Sequence, residues 1–201
     1  MIVLLLDPRW PTMIPFTLLS ELRGRVEFSD EVPVQVRWNL GDVIGDAGNH
    51  APRILVSTDE WDEKVRSAIA DGARVVEVPS RSEGIAQAVD VMRRALRLGE
   101  WEQSQTHASL MAYLREEVEE FDEAVRGGDE QEMRDELGDL LLQVLFHAEI
   151  ASQRGSFDFD AVAMSFVEKM AKRSPYLFNG THQVVAIEEQ ERLWELGKQA
   201  Q

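Results

Sequence analysis

The spacing of apolar residues changes period near the middle of the chain. Ile2 to Leu6 is an unbroken apolar run, as expected of a strand buried on both faces. Asp7-Pro8, Pro11 and Pro15 mark a loop, and Phe16 to Leu22 reads as a short helix closed by Gly24. Val34 to Trp38 alternates, which predicts a strand whose start or edge position is signalled by Pro33. Gly41 to Asn49 reads as a flexible loop. Arg53 to Ser57 is a second buried strand, after which Ser57 or Asp59 is expected to cap a helix running to about Ala70 and broken by Gly72. Ala73 to Val78 is a third strand. Ser82 to Leu98 is an amphipathic helix with Ile85, Ala88, Val89, Met92 and Leu96 on one face. This alternation predicts a small, largely parallel α/β domain over residues 1–98, with Gly99 as the boundary.

From there the pattern is helical. Thr106 is placed to cap a first helix, and Leu114 to His147 reads as two helices folded back on each other. Gly127 and Gly128 suit a helix C-terminus that needs a positive φ. Asp129 can cap the next helix, with Glu132 three residues on completing a capping box. So short a connection makes the two helices antiparallel neighbours. Phe157 to Asp160 reads as a turn and cap, Ala161 to about Arg173 as a third helix stopped by Pro175, and Ile187 to Gly197 as the last.

The hairpin carries the candidate chemistry. Its first helix holds Glu116, Glu117 and Glu120, within a sector about 100° wide. Its second holds Glu136 and Asp139, about 60° apart, with Gln143 and His147 close to the same stripe. Glu120 and Glu136 are each 8 residues from Gly128, and Glu117 and Asp139 each 11. Folding at Gly128 therefore sets Glu120 level with Glu136 and Glu117 level with Asp139. Four carboxylates at two matching levels repel one another unless a cation intervenes. Oxygen-only donors favour a hard divalent ion, Mg²⁺ or, as a substitute, Mn²⁺. Glu119, Asp122, Asp135 and Glu149 read as solvated charge, and His107 and His147 as packed or capping residues.

The run Gln105 to Leu114 (Q-T-H-x-S-L-x-x-Y-L), then E-E-x-x-E, then Glu136 to Ala148 (E-L-G-D-L-L-L-Q-V-L-F-H-A) resembles the MazG family of all-α nucleoside triphosphate pyrophosphohydrolases. The resemblance covers about residues 99–201. It implies an all-α helical bundle, a homodimer, and Mg-dependent conversion of a nucleoside triphosphate and water to the monophosphate and pyrophosphate, in service of clearing nucleotide pools. Carried onto this chain, it implies metal ligation by Glu117, Glu120, Glu136 and Asp139, with Glu116 either completing the shell or acting as general base. The family's Lys/Arg pair on the third helix and its Trp-x-x-x-Lys near the end match Lys169, Arg173, Trp194 and Lys198, placed around the nucleotide. Trp101 matches the tryptophan before Q-T-H, although the usual Cys-Pro is replaced by Gly99-Glu100. Sister enzymes acting on dUTP or phosphoribosyl-ATP share the helical type, and a non-catalytic acidic interaction module is the other alternative. A di-iron site would need E-x-x-H motifs, and none occurs.

Charge narrows the partners. The net charge is −16, and the halves differ. Residues 1–97 hold 12 Lys/Arg against 15 Asp/Glu, whereas residues 98–201 hold 9 against 22. So acidic a second half argues against nucleic acid or an anionic membrane as partner. With no cysteine, thiolate metal sites and disulfides are excluded. No apolar run approaches the ~20 residues of a membrane span, and Ile2 to Leu6 is too short for a signal peptide. A cytoplasmic protein is expected. The first half contains neither a Walker-type nor a G-x-G-x-x-G glycine pattern.

Overall fold

The computed structural model describes residues 1–44 and 51–199, which pack as two compact units, Met1–Gln87 and Ala88–Gln201. In the first unit β1 (Ile2–Leu5), β2 (Arg25–Phe28), β3 (Arg53–Ser57) and β4 (Arg74–Glu77) form a parallel sheet in the order β2-β3-β1-β4. Val3 lies opposite Leu55 on one side and Val75 on the other. Both faces of the central strands are covered, which explains their continuous apolar runs. Leu4, Leu6, Ile54 and Val56 face a cluster built with α1 (Phe16–Glu21) and α2 (Val34–Ile44). Val3, Leu5 and Leu55 face Val65 and Ala68 of α3 (Glu63–Ala70).

Three sequence expectations are corrected. Val34 to Trp38 is the start of α2, not a strand. Val36, Leu40 and Ile44 are the buried positions, a spacing of four, while Val34 and Trp38 are exposed. Pro33 accordingly starts a helix, accepting the N–H groups of Val36 and Arg37. Gly41 to Ile44 continue that helix, and the rest of the expected loop, Gly45 to Asn49, lies outside the described residues. α3 begins later than expected because Asp62, not Ser57 or Asp59, caps it. Ser57 instead donates its hydroxyl to Glu31, and the Asp59 carboxylate accepts from Trp61 N–H. Strand β2 is a further element that the sequence did not signal.

The second unit begins inside α4 (Gly84–Leu98) and continues through the short α5 (Glu100–Ser104), α6 (His107–Gly127), α7 (Glu130–Gln153), α8 (Phe159–Arg173) and α9 (Ile187–Gln199). Met92 and Leu96 of α4 join Leu110, Leu145, Phe146 and Ile150 in one core. α6 and α7 form the most extensive helix pair, α8 packs on α7, and α9 packs on α8. No helix among the described residues is long and apolar enough to cross a membrane.

Candidate active site

The hairpin is set by its ends. Thr106 and Ser109 form a reciprocal capping box at the start of α6. Gly128 ends the helix with φ 73°, where a side chain is disfavoured. The Asp129 carboxylate then accepts from the N–H groups of Gln131 (2.8 Å) and Glu132 (3.3 Å), and only two residues separate α6 from α7.

Across this turn, carboxylate oxygens of Glu117, Glu136 and Asp139 all lie within 4.8 Å of one another. Glu117 and Glu136 are half-buried and Asp139 is exposed. Burial pushes the Glu117 carboxyl above its ordinary range, and the negative charges of Asp139, Glu120, Glu136 and Glu116 push it further. Glu136 is raised in the same way, by burial first, then by Glu120 and Asp139. Asp139 is thus the strongest charge on Glu117, and Glu120 the strongest on Glu136. Glu116 and Glu120 are exposed and act on the triad by charge.

Glu136 Oε2 is buried with no hydrogen-bond partner among the described residues. A buried carboxylate oxygen costs stability as long as it stays unpaired. An oxygen-binding cation is the one species that satisfies all three groups at once, so the donor set fits a hard divalent ion. Among the described residues, the cluster consists of carboxylates alone, with no histidine.

The polar stripe of α7 extends beyond the carboxylates. Gln143 is 3% exposed, and among the described residues its buried Oε1 and the buried His147 Nε2 have no hydrogen-bond partner. His147 Nδ1 meets His107 Nδ1 at 2.8 Å. The two histidines are packed, as the sequence suggested. Their pairing across 40 residues was hidden, because no local pattern reports it. The signal available was the recurrence of polar residues at 136, 139, 143 and 147 along one stripe of α7.

The other sequence-selected residues fall elsewhere in the unit. The Arg173 guanidinium lies 5.1 Å from the Trp194 ring centre, joining α8 to α9. Lys169 is exposed on α8. Lys198 is ion-paired to Glu195 at 2.7 Å. Trp101 meets Tyr113 and Phe146 edge-on, at 5.9 and 6.0 Å, and is half-exposed.

Each half of the chain matches a known protein family. Residues 105–178 match the MazG nucleotide pyrophosphohydrolase domain, and residues 1–76 match the MazG N-terminal domain. A nucleoside triphosphate pyrophosphohydrolase of Mycobacterium tuberculosis is 42% identical over 98% of this chain and 62% of its own length. One of Mycolicibacterium smegmatis is 38% identical over 97% of this chain and 61% of its own. The chain thus spans about three fifths of these curated relatives. The crystal structure of a MazG-related protein from Thermotoga maritima superposes with a TM-score of 0.51 at 29% identity, over 56% of this chain and 97% of that one. With a family domain matched in each half and an acidic triad built on the hairpin of the second, the chain belongs to the MazG family.

Proposed function

We propose that the chain is a divalent-metal-dependent nucleoside triphosphate pyrophosphohydrolase that yields nucleoside monophosphate and pyrophosphate. The observation that carries this reading is the triad of Glu117, Glu136 and Asp139 within 4.8 Å, one oxygen of which is buried and unpaired. Membership of the family and the printed names of the two mycobacterial relatives support the bond assignment.

Glu117, Glu136 and Asp139, with Glu120 at the rim, would hold one or more Mg²⁺ ions. When bound, Mg²⁺ supplies Lewis-acid neutralisation of phosphate charge. Water oxygen attacks the α-phosphorus, the bond from that phosphorus to the α–β bridging oxygen breaks, and pyrophosphate leaves. Glu116, exposed beside the triad, completes the carboxylate shell or accepts the proton of the attacking water. Lys169, Arg173 and Lys198 supply positive charge toward the triphosphate, and Trp194 or Trp101 an aromatic face for the base. Exposed apolar residues on α6 to α8, among them Val118, Leu137, Met164 and Phe166, support a homodimer. A cytoplasmic role in clearing nucleotide pools belongs to the same proposal.

Product analysis tests the reaction. Incubation with a panel of nucleoside triphosphates and Mg²⁺ is expected to give monophosphate and pyrophosphate in equal amounts. Diphosphate with orthophosphate would refute the bond assignment, and no product at all would refute the activity.

A further inference from the structure

A groove of about 620 Å³ lies between α8 and α9, beside the 3₁₀ turn Pro175–Leu177, within the size range of small-molecule sites. Its lining includes Met170, Tyr176, Gln190, Glu191, Trp194 and Glu195. The chemistry of this wall is one-sided. The Gln190 amide donates to Val185 O at 2.8 Å, and the Tyr176 hydroxyl donates to Gln190 Oε1 at 3.4 Å, so the hydroxyl and one amide N–H are already used within the fold. The basic residues of α9 are engaged as well: Lys198 pairs with Glu195 and Arg192 with Glu189. What remains for a ligand is the ring of Trp194, which Arg173 also approaches, the thioether of Met170, the Ser174 hydroxyl, and carboxylate acceptors. Glu195 is partly neutralised by Lys198. Glu191, one helical turn before it on the same face, has no hydrogen bond or ion pair among the described residues.

The Glu191 side of this wall suits a flat ring that offers hydrogen-bond donors. Among nucleobases, guanine alone presents two adjacent, parallel donors, N1–H and the N2 amino group, which match the two oxygens of one carboxylate. Adenine and cytosine each offer one amino group beside a ring acceptor, which a carboxylate disfavours. Uracil and thymine flank their single N–H with carbonyls. We propose that Glu191 is a specificity-determining residue that reads the donor edge of a guanine-type base held against Trp194. This proposal rests on the reading of the chain as a nucleoside triphosphate hydrolase and adds the base class to it.

The test uses the full chain. Guanosine, inosine (which lacks the N2 amino group), adenosine and uridine are titrated by calorimetry without metal, so that neither phosphate nor cation contributes. Guanosine is expected to bind at least about tenfold more tightly than inosine or uridine. Glu191→Gln is expected to remove most of that preference while leaving the melting temperature unchanged, as befits a solvent-facing residue. In turnover, kcat/KM for GTP is expected to fall about tenfold more than that for ITP in the same variant. Equal affinity for all four nucleosides, no binding at millimolar concentration, or a preference untouched by Glu191→Gln would overturn the proposal. Hydrolysis of triphosphates without any base preference sinks this inference and leaves the activity standing. Guanosine binding without hydrolysis of any triphosphate does the reverse.

Discussion

His107 and His147 meet Nδ1 to Nδ1 at 2.8 Å across the α6–α7 hairpin, with rings parallel to within 7°. Such a contact holds a single proton, given by one ring and accepted by the other. It survives with both rings neutral or with one charged, and it breaks when both are charged.

Stability should therefore fall in mild acid. Burial first, and then His107, hold the pKa of His147 below its ordinary 6.5. Between that lowered value and 6.5 the unfolded chain binds more protons than the folded one, so stability rises with pH across the window. It is complete above about 6.5 and is lost as the pH drops below it. Urea midpoints at pH 7.5, 6 and 5 are expected to decline. In His147→Gln, which keeps a partner for His107 but cannot titrate, the decline should be shallower. An equal slope in both proteins would contradict the assignment.

The carboxylate triad should show the opposite sign. Glu117 and Glu136 are raised by burial and by their acidic neighbours, so the metal-free folded chain holds more protons than the unfolded one above about pH 4.5. This contribution is present at low pH and is lost as the pH rises through the raised values. Glu136→Gln is accordingly expected to raise the melting temperature of the metal-free protein at pH 7.5. The same variant should abolish the increase that millimolar Mg²⁺ gives to wild type. A variant still stabilised by Mg²⁺ would remove Glu136 from the ligand set.

Much of this was visible in the chain before folding. Gly128 and Asp129 announced the turn, because positive φ and side-chain capping are local demands with local residue preferences. The apolar runs of β1 and β3 were equally plain. Val34 to Trp38 misled because a five-residue window holds both an alternating pattern and part of a helical one. Only Leu40 and Ile44, further on, reveal the helical period. Strand β2 (R-V-E-F) was too short and too polar to register, since an edge strand is stabilised by its neighbour β3 more than by its own residues. Three of the four carboxylates, Glu117, Glu136 and Asp139, could be brought together by counting because an antiparallel hairpin fixes registry, while Glu120 falls outside that cluster. The His107–His147 bond and the groove at Glu191 and Trp194 depend on how helices meet, which spacing alone does not report.

Gly197 is where α9 seats on α8. A Cβ there would lie 2.6 Å from Lys172 O and 2.8 Å from Arg173 Cα, both backbone atoms that cannot swing aside. Gly197→Ala is expected to cost about 1–3 kcal/mol by overpacking and to weaken nucleotide affinity by deforming the groove. Chemical denaturation measures the first effect and calorimetric titration the second. An unchanged urea midpoint would show that α9 does not depend on this contact.

Gly128→Ala should lower stability by about 1 kcal/mol, because φ 73° forces the new side chain against the backbone. Because the turn sets the registry of the carboxylates, the variant is also expected to bind divalent metal less tightly. Unaltered metal affinity in a destabilised variant would separate the turn from the site.

The central claim is that acidic groups from both arms of one hairpin hold a divalent cation together. Titration of Mn²⁺ into the protein at pH 7.5, followed by paramagnetic resonance of the free ion, tests it most directly. Wild type is expected to bind saturably, and Asp139→Asn and Glu117→Gln are each expected to lose affinity by tenfold or more while retaining their helicity. Mn²⁺ binding that is absent in wild type, or equally strong in both variants, would contradict the account.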